Sequence, residues 1–155
     1  MLPGRSRIRV LLVGGALNDV WARRAARAMG DNPRFRWLGE RPRGEARRIL
    51  ARSQLMVLSS RVEGGANVVG EAVVDGVPIL ASRIEGTIGL LGSRFPGLFD
   101  VGDTVALHDM MARAENDPRF IRTLKRAGKR VSHLFTPEHE RDALLRVLGG
   151  LRRGS

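Results

Sequence analysis

The chain is 155 residues long with 43% apolar residues and no cysteine, which fits one globular domain with a hydrophobic core and excludes disulfide staples, thiolate metal sites and cysteine nucleophiles. Lys and Arg number 27 against 16 Asp and Glu, a formal charge of +11 that raises the question of nucleic acid. Almost every cation is arginine, the cations are spread along the whole chain, and aromatic residues make up only 5%, so the aromatic interleaving used to stack on single strands is missing and most arginines read as solvated surface.

Residues 7–13, RIRVLLV, are closed by Gly14 and Gly15 and predict a buried strand ending in a turn. A helix should follow, capped by Asn18 or Asp19, with Val20, Trp21, Ala25, Ala28 and Met29 as its apolar stripe and Gly30 with DNP as its stop. RFRWLG over 34–39 predicts a second short strand with a glycine exit, GEARRILARS over 44–53 a helix, and QLMVLSS over 54–60 a third, strongly apolar strand. Beyond the turn RVEGGAN, a helix is expected from Val68 to Asp75, a stop at Gly76 and Pro78, and a fourth strand, PILAS, over 78–82. The remainder reads as three helices separated by Pro118 and Pro137, with Asp103 and Thr136 as caps. His108, His133 and His139 fall on these last helices, far in sequence from the glycine-rich turn, which argues against a metal site.

Strands alternating with helices at this interval require parallel pairing through right-handed crossovers. Near-continuous apolar strands require helices on both faces. The expected fold is a doubly wound, mostly parallel, Rossmann-like α/β sheet with extra carboxyl-terminal helices. Ligands of such sheets lie at the carboxyl ends of the strands, which here carry Gly14 and Gly15, Gly39, residues 59–67 and residues 82–86.

The turn over 59–78, SSRVEGGANVVGEAVVDGVP, places Glu63 and Glu71 eight residues apart around two glycines. A helix starting near Val68 leaves its first N–H groups unpaired and turns the positive end of its dipole toward an anion. Gly64 and Gly65 let the backbone approach that anion without a Cβ, and Asn67 is a good cap. A phosphate needs N–H donors, whereas the vicinal hydroxyls of a sugar are held by a carboxylate accepting two hydrogen bonds. One anion cradle between two such carboxylates matches a nucleotide sugar. The plainer alternative is a glycine turn opening a helix with two surface glutamates.

The stretches LLVGG, RFRWLGE, SQLMVLSSRVEGGANVVGEAVVDGVPILASRIEG and FDVGD, spread over residues 7–117, resemble the carboxyl-terminal, donor-binding half of the two-domain B-type (GT-B) glycosyltransferases, close to the retaining enzymes of family 4. A glutamate, seven residues and a second glutamate form that group's signature. SSRVEGGANVVGEA followed by ASRIEGTIGLLGSRFPGLFDVGD is similar to the selenosugar synthases, which would make selenophosphate the acceptor and a UDP-sugar the donor, with no cofactor or metal. The resemblance implies that Glu71 holds the ribose hydroxyls and Glu63, in the catalytic position, faces the donor hexose. Gly64, Gly65, Ala66, Asn67 and Val68 would offer N–H groups to sugar and diphosphate, Gly14 and Gly15 would admit the phosphates, and Trp37, Leu38 and Gly39 would border the base. Arg61 and Arg83 would add charge near the phosphates, against the plainer reading of surface arginines on a sheet edge.

The chain also departs from that family. The acceptor domain and the first strand and helix of the donor domain are expected to be absent from this chain, so residues 1–155 are expected to form one nucleotide-sugar-binding domain that joins its strands differently, pairs with another copy or leaves an exposed strand edge. A separate acceptor-domain partner or a second copy is the expected remedy. Nothing at the amino terminus has the form of a secretory leader, and no stretch approaches the roughly 20 apolar residues of a membrane span, so a cytoplasmic location is expected. A nucleotide-binding module without catalysis and a basic nucleic-acid-binding protein stand as the alternative functions.

Overall fold

Both sheets formed by the described residues are parallel, as the alternation of strands and helices requires. The computed structural model describes residues 4, 6–61, 67–136 and 141, and the chain divides into two compact units, Met1–Arg52 and Ser53–Ser155.

In the first unit, strand β1 (Val10–Leu12), helix α1 (Asp19–Asp31), strand β2 (Phe35–Trp37) and helix α2 (Arg43–Ala51) follow one another. β1 pairs with β2 in the register Val10 to Phe35 and Leu12 to Trp37. The Asn18 side chain caps α1, accepting from the N–H groups of Val20 at 3.1 Å and Trp21 at 3.2 Å. α2 begins directly after Pro42, and Arg41 meets Glu45 across one turn at 3.7 Å.

This unit departs from expectation in its burial. Among its described residues only Leu50 and Ser6 are buried, while Leu11, Leu12, Val20 and Trp21 are about half exposed and Leu17 is 88% exposed. The buried strand expected over 7–13 is a three-residue strand with one neighbour, and the apolar stripe of α1 is not a core face. The reason is geometric. Two three-residue strands and two helices offer too little opposing surface to enclose side chains from both faces of β1.

The second unit runs β3 (Met56–Leu58), α3 (Asn67–Val74), β4 (Ile79–Ser82), α4 (Glu85–Leu91), β5 (Leu98–Phe99), α5 (Thr104–Asn116), α6 (Pro118–Val131) and a 3-10 turn (Ser132–Phe135). Its sheet has the order β3-β4-β5, so β4 is paired on both sides. Ile79, Leu80 and Ala81 of β4 are at most 1% exposed. Around them Val69, Ala72 and Val73 of α3, Leu91 of α4, Leu98 and Phe99 of β5, and Phe120, Leu124 and Ala127 of α6 complete a core. Each fully buried aliphatic side chain contributes about 1.5–3 kcal/mol relative to an exposed one. Gly97 sits so close to this sheet that a Cβ there would run into the backbone carbonyl of Ile79 and crowd Leu124.

Polar groups finish the elements. The Ser82 hydroxyl donates to the Leu58 carbonyl at 3.2 Å, tying the carboxyl ends of β4 and β3 together. Asp103 caps α5 through a 2.8 Å bond from the Ala106 N–H, as expected, and Asp117 caps α6 with Pro118 in the first turn. The Asp117 carboxyl is held below its ordinary value. Partial desolvation pushes it up, but the N–H groups of Arg119 and Phe120 and the Arg113 guanidinium outweigh that. Neither α4 nor β5 was anticipated, and the third carboxyl-terminal helix falls outside the described residues, as does His139. Thr136, its expected cap, turns its hydroxyl back onto the His133 carbonyl at 3.4 Å. Among the described residues no helix is long and apolar enough to cross a membrane.

Candidate functional site

β3 ends at Leu58 and α3 starts at Asn67, one residue before the expected start. Four of the expected site residues between them, Glu63, Gly64, Gly65 and Ala66, lie outside the described residues. What is described is their frame. Arg61 is exposed just beyond the strand exit, Asn67 is exposed at the helix start, and Val68 and Glu71 are half-buried in the first turns. Val69, between them, is fully buried, which fixes the rotation of the helix about its axis. Asn67 and Glu71 are four residues apart and therefore lie on one side of α3, one turn above the other.

The first unit gathers the other expected residues at the carboxyl ends of β1 and β2. The Trp37 indole N–H donates to the Gly14 carbonyl at 2.9 Å, the Gly14 N–H to the Gly39 carbonyl at 2.9 Å, and the Leu38 N–H to the Leu12 carbonyl at 2.9 Å. Gly14 and Gly39 have φ of 137° and 69°, conformations that favour glycine, so their identity follows from the backbone alone. Gly15 is different. A Cβ there would meet only the Glu40 side chain at 3.8 Å, an ordinary contact, so the packing of this unit does not demand a glycine at that position. Gly14, Gly15, Trp37, Leu38 and Gly39 thus lie together in the first unit, while in the second Asn67, Val68 and Glu71 lie on α3 and Arg61 follows the end of β3.

Arg83, open to a reading as charge near the phosphates or as plain surface, makes its contacts at the sheet edge. Its Nε lies 3.2 Å from the Asp100 carboxylate and its Nη1 donates to the Ser93 carbonyl at 3.0 Å. The guanidinium braces the exits of β4 and β5, which is the plainer surface reading. Thr87 of α4 is fully buried and bonds the carbonyls of Ser82 and Ile84, fixing the turn after β4.

One residue near this frame was not singled out from the sequence. The ring of Phe135 rests on α3 at Gly70, so close that a Cβ on Gly70 would lie 2.8 Å from Cδ1 and 3.1 Å from Cε1. The signal available in the sequence was a glycine inside a helix, VVGEA, where no turn is made.

Residues 2–131 match the family described as glycosyl transferases, group 1. No curated protein sequence matches. Among solved structures, the fold is similar to that of Anabaena HepE in complex with UDP and glucose, with a TM-score of 0.81 and 21% identity over 96% of this chain. It is similar also to sucrose-phosphate synthase from Thermosynechococcus elongatus, with a TM-score of 0.77 and 24% identity over 95% of this chain. TarM gives a TM-score of 0.73 at 16% identity over 95% of this chain and 29% of its own. The chain spans less than half of these proteins, 42% of HepE and 39% of the synthase.

Proposed function

The chain belongs to the group 1 glycosyl transferases, and we propose that it serves as the donor-binding part of a GT-B, family 4-type enzyme, taking up a UDP-sugar for glycosyl transfer. The observation that carries this reading is that α3 follows β3 in the chain and holds Glu71 half-buried one turn beyond Asn67. The solved complexes of HepE with UDP and with UDP-glucose support the choice of donor.

Glu71 accepts hydrogen bonds from the ribose hydroxyls and Glu63 from the hexose. The N–H groups of residues 64–68 and the charge of Arg61 receive the diphosphate, where negative charge grows as the sugar leaves. Gly14 and Gly15 admit the phosphates, and Trp37, Leu38 and Gly39 border the base. No cofactor or metal is assigned a part. Transfer also needs an acceptor held within attacking distance of the anomeric carbon. A separate acceptor-domain partner or a second copy is one source of that site, and the motif similarity to selenosugar synthases nominates selenophosphate as acceptor. A soluble nucleotide-sugar donor fits a cytoplasmic location.

Calorimetric titration of the chain with UDP and UDP-glucose tests the reading. Wild type should bind both. Glu71→Ala removes charge-assisted hydrogen bonds and should weaken UDP by about tenfold or more. Glu63→Ala should weaken UDP-glucose while leaving UDP unchanged. Equal affinity of Glu71→Ala and wild type for UDP would overturn the assignment. UDP binding with a UDP-glucose affinity that Glu63→Ala leaves unchanged would instead indicate a non-catalytic nucleotide module, and salt-sensitive duplex binding without UDP binding a nucleic-acid protein.

A further inference from the structure

We propose that Phe135 is a positioning residue for the donor site: its ring, seated in the notch left by Gly70, sets the lie of α3 and through it the carboxylate of Glu71. The part concerning Glu71 rests on the donor reading above.

Glycine inside a helix costs about 0.5–1 kcal/mol relative to alanine. Gly70 is the fourth residue of the eight-residue α3, and its φ is not positive, so no backbone requirement explains it. The Phe135 ring does, because it occupies the space a methyl group would need. A helix this short is not stable by itself and takes its position from what packs against it. Val69, Ala72 and Val73 hold one side of α3 in the core. Gly70 adjoins Glu71 directly and shares its side of the helix with Asn67, three residues earlier. The ring therefore bears on the turn that carries both polar residues of the described site. Phe135 itself stands on a firm base, since the 3-10 turn that ends with it follows α6, whose Phe120, Leu124, Ala127 and Gly128 are buried. Being only half-buried, Phe135 is not a central member of that core.

The test compares Phe135→Ala, Phe135→Leu and Gly70→Ala by UDP calorimetry and by amide hydrogen exchange across residues 70–74. Phe135→Ala should weaken UDP about tenfold, within the range exerted by residues that do not touch a ligand. It should also speed exchange in α3 while β4 stays protected. Phe135→Leu should restore most of the affinity. Gly70→Ala should weaken UDP similarly by displacing the ring, and should add nothing in the Phe135→Ala background, the non-additivity expected of a shared contact. Wild-type affinity in both single variants, or unchanged exchange in α3, overturns the proposal. If the wild-type chain binds no UDP, the donor reading falls, and the exchange data still decide whether Phe135 clamps α3.

Discussion

The two units of this chain share one construction rule and differ in what it yields. Each is a parallel sheet built by strand-helix-strand crossovers. In Ser53–Ser155, β4 is paired on both sides and covered by α3 and α6, and its residues are almost wholly buried. In Met1–Arg52, β1 is just as apolar, yet Leu11 and Leu12 are 49% and 46% exposed. Apolar strand composition thus specifies pairing and topology, while burial depends on how many neighbours a strand has. The second unit owns a core. The first presents the pieces of one.

That contrast is sharpest at two substitutions in the second unit. Leu124→Ala removes a side chain only 1% exposed and should cost about 2–5 kcal/mol, read from denaturant unfolding followed by ellipticity. Gly97→Ala drives a methyl against the Ile79 carbonyl, a fixed backbone group, and should destabilise by about 1–3 kcal/mol or more. In the first unit, Leu12→Ala should cost under about 1 kcal/mol, because the side chain is already half in water. A cost as large as that of Leu124→Ala would break the comparison and mean that Leu12 is covered in solution. Sedimentation velocity would then test the covering partner, with Leu11→Lys at the half-exposed face of β1 expected to reduce any self-association.

The smallest effect concerns the α6 cap. The folded Asp117 carboxyl titrates below its ordinary value of 3.8, so its contribution is present above that value and is lost as the pH falls through the lower folded one. Asp117→Asn keeps a capping side chain without the charge, and its acid unfolding curve should be shallower below pH 3.8 than that of wild type.

Much of this was readable in the sequence where the signals are local. The Asn18 and Asp103 caps, the start of α3 and the span of β4 follow from residues within one turn of each boundary. α4 and β5 were hidden because SRIEGTIGLLGSRFPGLFD is broken by glycines and β5 has only two residues, too few to show a period. The bond from Arg83 to Asp100 and the seating of Phe135 on Gly70 join residues far apart in the chain, and no local pattern encodes them. For the same reason the exposure of β1 could not be foreseen from RIRVLLV, which reads identically whether its neighbours are present or not.

The hydrogen bond from the Trp37 indole to Gly14 carries an experimental consequence. Trp21 and Trp37 are the chain's two tryptophans, there is no tyrosine, and both indoles belong to Met1–Arg52. Intrinsic emission therefore comes from residues of the first unit alone, whereas far-ultraviolet ellipticity sums helices from both. On heating, the emission change should run ahead of the ellipticity change, and the gap between the two curves measures how independently the halves come apart.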